Sequence, residues 1–424
     1  MSVDTQEHVP TGQLPVAVEH SRSGPAHSAG PERLVTPTFV VAWVVNFLQY
    51  LTFYMLVTTM ALYAVKSFAA SDAVGGFASS AFVVGATLAR LVSGYLVDAL
   101  GRRRMLLIAL VVVVVACALY LPAGSLPVLI AVRMVHGFGY AFASTAVMTI
   151  AQSVIPDSRR GEGTGYFALG TTLATAIGPA LGLFLVGSLD YTWLFWTTLV
   201  TAVLGLVLGI FLREPLAHQE AKAERSKFSL SDIAHPSVLP IGSFMLVVGV
   251  CYAGVITYLN AYAEDRGVTT GAALFFVAYA VAMLIMRLVL GKVQDQRGDN
   301  VVVYLGLICF AVALGILAVA TQDWQVVVAG AMTGLGYGTL MPAAQAIAVS
   351  AVPAHKLGTG ISTLLLLMDV GVGIGPVVLG LLLSATGFGT MYTVLAVLVV
   401  VAALLYHAVH GRHPHAKRGR LAVD

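Results

Sequence analysis

Charge is what this chain has least of. Asp, Glu, Lys and Arg make up 10% of its 424 residues, against about 25% in soluble domains. Hydrophobic residues reach 58%, where a soluble domain has roughly 45–50%. An aqueous fold of this size cannot hide so much apolar surface, which excludes a soluble enzyme, a disordered protein and a nucleic-acid binder. Cysteine is scarce too. Cys117, Cys251 and Cys309 all sit in apolar runs, so there is neither a disulfide framework nor metal-ligand spacing. The net charge of +3 is too small to define a partner. The chain also lacks a His-Glu-x-x-His run, a phosphate-binding glycine loop and a nucleophile–base pair. It is therefore read as a non-enzyme, and neither metal nor other cofactor is expected.

What remains is apolar length. A membrane helix needs about 20 mostly apolar residues, and twelve stretches qualify: 38–62, 74–97, 104–122, 126–150, 163–187, 192–212, 238–262, 272–293, 300–320, 324–349, 359–384 and 388–410. They are long and continuous rather than short and alternating, which argues against a strand barrel. Residues 1–36 are rich in Pro, Ser, Gly and His and read as a disordered tail with no signal peptide, so the first span is expected to direct insertion.

Orientation follows from the basic residues. With an even number of spans, only Lys66 and Arg266 fall on the side opposite the termini. Arg90, Arg133 and Arg287 fall inside spans, and every other Lys and Arg lies on the side of the termini. That side is expected to be the cytoplasm, and the protein to sit in the cell (inner or plasma) membrane. Trp193 and Trp324 open the sixth and tenth spans at the other face, where amphipathic rings settle.

The second half repeats the first. Shifted by 197 residues, Arg90, Gly94, Asp98 and Gly101 meet Arg287, Gly291, Asp295 and Gly298. Gly137-Phe138-Gly139-Tyr140 meets Gly334-Leu335-Gly336-Tyr337, and Gly178-Pro179 meets Gly375-Pro376. One register held over four helices marks a parallel duplication. The expected organisation is a tail at 1–36, a six-helix bundle at 37–212, a linker at 213–237, a second bundle at 238–410 and a basic tail at 411–424. Repeats of this kind place a substrate site at the midplane between halves. The linker is read either as a helix lying on the membrane or as a solvated connection. The basic tail either touches anionic lipid or simply obeys the charge rule.

Four motifs carry the functional reading. The run Gly94 to Leu106 spells Gly-x-Leu-x-Asp-x-x-Gly-Arg-Arg within it. Arg133 lies about seven residues into the fourth span, too deep for an unassisted charge, with His136 one turn on. Gly165, Gly178, Pro179 and Gly182 line the fifth span, and Gly371, Gly375, Pro376 and Gly380 the eleventh. Asp369 is the one carboxylate well inside any span, about eleven residues into the eleventh. There it either pairs with a cation or stays protonated, and both states suit a proton-coupled cycle. Structural alternatives stand beside these readings: a static partner for Asp369, and an arginine at 133 that satisfies backbone carbonyls.

These patterns resemble the major facilitator superfamily over residues 38–410, and within it the bacterial exporters of drugs, sugars and metallophores, including staphylopine-type exporters. The resemblance implies an all-α membrane fold of 12 transmembrane helices in two pseudo-symmetric six-helix bundles. It implies that Asp98, with Gly94, Gly101, Arg102 and Arg103, locks the cytoplasmic side, Arg102 being the basic partner of Asp98. The second loop keeps Asp295 but not the Arg pair, which makes the same role less secure there. Arg133, with His136 where the family has Gln, is implicated in proton transfer. The Gly-Pro pattern implies export by antiport, although Ala174 and Leu183 stand where the family pattern has glycine. The usual acid of the first span is replaced by Asn46 and Gln49.

The expected function is proton-driven export of a small organic molecule by alternating access, with Asp369, Arg133 and His136 setting the coupling. Asn46, Gln49, Tyr50, Tyr54, Tyr258, Asn260 and Gln345 are candidate cavity residues, or equally interhelical hydrogen-bonding groups. Arg90 and Arg287 are expected to snorkel to the cytoplasmic surface or to brace the loops. The partners are the cargo, protons and the bilayer, and the protein is expected to be a monomer. A proton symporter of the same fold is the main alternative. A non-transporting membrane sensor is a poorer one, because no soluble effector domain is present.

Overall fold

In lipid, every backbone N–H and C=O must be satisfied within its own segment, so apolar runs of this length become helices. The computed structural model describes residues 33–70, 72–212 and 233–419. Most of the expected tail and linker, at 1–32 and 213–232, lies outside the described residues. The first half holds α1 (Pro37–Phe68), α2 (Asp72–Leu100), α3 (Arg102–Leu119), α4 (Leu126–Ser153), α5 (Arg160–Ser188) and α6 (Tyr191–Phe211). The second holds α7 (Leu239–Arg266), α8 (Thr269–Arg297), α9 (Asp299–Val319) and α10 (Asp323–Ser350). The last run, Leu357–Tyr406, breaks at Gly387. Its φ of 80° lies in the left-handed region that only glycine enters cheaply. It is therefore two helices, α11 (357–386) and α12 (388–406).

Eleven of these helices are long and apolar enough to cross a membrane. The twelfth, α3, has 18 residues and opens on Arg102, Arg103 and Arg104. Those arginines mark one face of the molecule, called the basic face below. The helices run past the expected apolar limits; α2, for instance, continues through Asp98 to Leu100. Helix starts are capped where the sequence allows it. The Thr36 hydroxyl accepts from the Phe39 N–H at 3.1 Å, with Pro37 at the first helical position.

Packing repeats between the halves. In the first, α1 lies against α5 and α2 against α4; in the second, α7 lies against α11 and α8 against α10. Gly137 of α4 packs directly on the Phe82 carbonyl of α2, and Gly334 of α10 on the Tyr279 carbonyl of α8. Both members of the first pair are 197 residues from their counterparts, so the duplication holds at the level of single backbone contacts. Gly178 meets Leu51 and Tyr54 of α1, and Gly375 meets Val250 and Ala253 of α7. The halves touch through α2 against α11 and α5 against α8.

The chain after α12 differs from a bare basic tail. His407–Gly411 forms a π-helical turn, and Pro414–Lys417 a short helical turn. The segment is tied to the start of α9. Asn300 donates to the Gly411 carbonyl at 2.9 Å, His410 Nε2 is 2.9 Å from an Asp299 carboxylate oxygen, and Tyr304 Oη is 2.8 Å from His407 Nδ1.

Candidate functional site

The two inter-half seams begin at the basic face with the same device. Asp98, at the end of α2, accepts from the backbone N–H groups of Gly358 (2.9 Å) and Thr359 (2.8 Å) and from the Thr359 hydroxyl (2.8 Å). These are the unpaired donors at the start of α11, where the helix dipole also favours an anion. Asp295, at the end of α8, accepts from the N–H groups of Gly161 and Glu162 at the start of α5, each at 2.8 Å. The second loop therefore makes the contact of the first although it lacks the Arg pair, because a helix terminus supplies the donors in both. Close approach makes it possible. A side chain on Gly94 would meet Thr359, and one on Gly161 would meet the Gly291 carbonyl. Arg102 donates to the Ala354 carbonyl and stands in electrostatic reach of Asp98. Arg103 does different work: it donates to the Ile210 and Leu212 carbonyls, both at 2.9 Å, and closes the C-terminus of α6.

Above the Asp98 contact, the α2–α11 seam continues inward as a polar ladder. Ser93 and Ser362 hydroxyls are 3.0 Å apart, and Ser362 also donates to the Arg90 carbonyl at 2.8 Å. The top rung is an ion pair: Arg90 Nε to Asp369 Oδ2, 2.5 Å. Arg90 is 4% exposed and Asp369 20%. Both lie about ten residues inside their helices, near 15 Å from the basic end at 1.5 Å per residue. The expectation that Arg90 snorkels to the surface is thus corrected. It is buried at mid-depth because a carboxylate from the other half meets it there, the paired state that an intramembrane charge requires.

The α5–α8 seam carries no such pair. Arg287, the repeat of Arg90, donates to the Ala168 carbonyl of α5 and reaches Met283 Sδ at 3.5 Å. It too is buried, at 9% exposure, rather than at the surface. The position 197 residues before Asp369 is Thr172, whose hydroxyl donates to the same Ala168 carbonyl at 3.2 Å.

Arg133 is not brought to Asp369. Its guanidinium donates to the Ser79 carbonyl at 2.7 Å and the Ala78 carbonyl at 3.4 Å, and lies over the Phe82 ring at 5.1 Å. All three belong to α2, so the arginine joins α4 to α2 inside one bundle. His136 is buried, with Nδ1 3.0 Å from the Tyr120 hydroxyl. Arg133→Lys is expected to lower the melting temperature, because a single ammonium replaces a planar fork that bridges two carbonyls. The pH dependence of transport should stay as in the parent. A shifted pH profile with unchanged melting would return Arg133 to the coupling machinery.

The candidate cavity residues divide. Tyr50 and Tyr54 are half-buried and pack on each other, with ring centroids 6.3 Å apart. Gln49 is buried with both side-chain amide atoms unpaired. Asn46 reaches the Thr171 hydroxyl at 3.3 Å. Tyr258 donates to the Pro376 carbonyl at 2.5 Å and belongs to helix packing. Gln345 meets Met148, its own repeat partner. The side chain of Asn260 lies outside what the structure describes. Reading the chain in one dimension missed Tyr252, Tyr279 and Tyr337. Tyr252 and Tyr337 stack with centroids 3.6 Å apart, and the Tyr279 hydroxyl is 3.4 Å from that of Tyr252. Tyr337 is a charge neighbour of both Asp369 and Arg287, and Tyr50 of both Arg90 and Arg287.

Two halves related by a repeat, held together at one face by carboxylates on helix starts and at mid-depth by an ion pair, form the architecture of a membrane transporter. The family model described as Major Facilitator Superfamily matches residues 42–312 and 270–422. The chain belongs to that superfamily, is a multi-pass membrane protein, and its function is transport of a small molecule. Among its relatives is YhhS of Escherichia coli (strain K12), described as an uncharacterized MFS-type transporter. It is 25% identical over 381 residues, covering 87% of this chain and 91% of YhhS. The YhhS of Salmonella paratyphi C (strain RKS4594) is 27% identical over 247 residues, 57% of this chain and 58% of the relative. Among solved structures, the human organic anion transporter MFSD10 (TETRAN) superposes with a TM-score of 0.76 at 18% identity, covering 89% of this chain and 99% of that one. FucP in the outward conformation gives 0.74 at 16%, with the same coverages. These likenesses establish the fold.

Proposed function

We propose that the protein exports a small organic molecule in exchange for protons, with its basic face in the cytoplasm of a bacterial inner membrane. The observation that carries the reading is the Arg90–Asp369 pair, the one ion pair at mid-depth between the halves among the described residues. With Asp369 ionised, the ladder from Asp98 to Arg90 is complete and the cytoplasmic side is shut. A proton arriving from outside neutralises Asp369 and frees Arg90 from its counter-charge. The seam then loosens, and the halves rock to open inward. There the higher pH removes the proton, cargo loads, and the cargo-bound form returns. Export is favoured over symport by the Gly-Pro pattern of α5 and α11, which seats those helices tightly on α1 and α7.

Metabolite profiles of cells and medium test the direction, with and without the protein. The expected result is a solute enriched in the medium and depleted in the cells. Enrichment inside the cells would make the protein an importer.

Orientation has its own test. Tags at both termini and at Lys227 should be reached only from the cytoplasm, and a cysteine placed at Asp265 only from outside. Labelling of position 265 from the cytoplasm alone would invert the assignment.

A further inference from the structure

The two halves repeat each other in fold but not in charge. Arg90 and Arg287 occupy equivalent places on α2 and α8, yet Asp369 faces the first and Thr172 stands where its counterpart would be. The mid-depth cluster thus holds two guanidinium groups and one carboxylate. Arg90 is neutralised, and Arg133 lies elsewhere, spread over two carbonyls and a ring. Arg287 has one carbonyl and one thioether, its Nε is buried without a partner, and no carboxylate among the described residues pairs with it. A buried, uncompensated guanidinium is costly. It is also the side chain best shaped to take an oxyanion through two parallel hydrogen bonds. Tyr54 and Tyr50 from α1, Tyr279 from α8 and Tyr337 from α10 lie within its electrostatic reach. Arg287 also lines a small recess with Gly165 of α5 and Gly338 and Pro342 of α10, and Tyr50, Tyr54 and Tyr337 remain partly exposed although they lie deep within their helices.

We infer that the cargo is an organic anion whose carboxylate or phosphate binds Arg287 while its body lies against Tyr54, Tyr279 and Tyr337. The inference rests on the transport reading above but not on its proton coupling. The anion supplies the counter-charge that Thr172 does not. A neutral cargo of the same body leaves Arg287 uncompensated and binds weakly. Both repeats are then used, Arg90 for the proton-bearing carboxylate of the protein and Arg287 for the acid of the cargo.

The test is ligand-dependent thermal stabilisation of the purified full chain in detergent, at one pH and with no gradient. The probes are benzoate and phenyl phosphate against benzamide, and gluconate and glucose 6-phosphate against glucose. At least one anion should stabilise the protein where its neutral match does not, and the carboxylate and phosphate arms show which oxyanion is taken. Arg287→Gln should weaken that anion by about tenfold or more, and Arg287→Lys by less. Asp369→Asn should keep or strengthen anion binding, because it removes a nearby negative charge. Monodispersity and a single cooperative ligand-free melting transition establish that the variants are folded, and each ligand-induced shift is read against its own variant's ligand-free melting temperature. The inference is overturned if no probe anion outperforms its neutral match, or if Arg287→Gln binds the anion as tightly as the parent. Loss of proton coupling in Asp369→Asn with anion selectivity intact would leave this inference standing, and the reverse result would leave the coupling standing.

Discussion

Asp369→Asn is expected to abolish uphill export while leaving cargo binding and some downhill exchange. The amide keeps the shape and an acceptor oxygen for Arg90, so the seam can still form. What it cannot do is change charge. The proton no longer has a place to ride, and the outward-to-inward step no longer depends on the pH outside. The substitution also leaves Arg90 without its counter-charge, which in a dry setting costs roughly 3–5 kcal/mol. The partial exposure of Asp369 places the real cost below that range, so a folded protein is expected. Export against a gradient in proteoliposomes, with an imposed pH difference and an internal pH dye, reads both halves of the claim. If the variant still concentrates cargo and moves protons at the parental ratio, Asp369 is a structural group.

The second large effect is expected at the basic face. Asp98→Asn and Asp295→Asn each replace a carboxylate that accepts from a helix start by an amide with one acceptor and no charge. Charge-assisted hydrogen bonds of this kind contribute about 1.5–3 kcal/mol each, and the helix dipole adds about 0.3–1 kcal/mol. The contacts share no residue, α2 with α11 in one case and α8 with α5 in the other, so their losses should add. Spin labels at the exposed positions Arg104 and Arg297 report the separation of the halves on this face. The parent should give a short, narrow distance, either single variant a broader one, and the double variant a predominantly long one with slowed transport. A double variant with the parental distance distribution would remove the latch role from both carboxylates.

The fold was legible because its determinants are one-dimensional. Span length follows from bilayer thickness, and the 197-residue register is visible in Gly137 and Gly334, whose contacts with Phe82 and Tyr279 keep it. The site was legible only in part. Asp369 stood out as the single mid-span acid, but its partner depends on which helices meet across the halves, and no local pattern states that α2 lies against α11. Arg90 was misplaced for a related reason. One turn from a loop glycine, it looked free to reach the surface, whereas its depth is set by the continuation of α2 to Leu100. Arg133 was correctly seen as deep, yet depth does not say which face it uses, and the Ala78 and Ser79 carbonyls decide that. The register that aligns Arg90 with Arg287 also sets Asp369 against Thr172, so the charge asymmetry is written in the sequence itself.

The central claim is that the charge on Asp369, paired with Arg90, is what a proton removes. Infrared difference spectroscopy of the lipid-reconstituted protein tests it without knowledge of the cargo. Acidification should produce the C=O stretch of a protonated carboxyl group, and Asp369→Asn should erase that band while leaving the rest of the pH response in place. A band that survives in Asp369→Asn, or one absent from the parent across the pH range in which transport runs, would contradict the account.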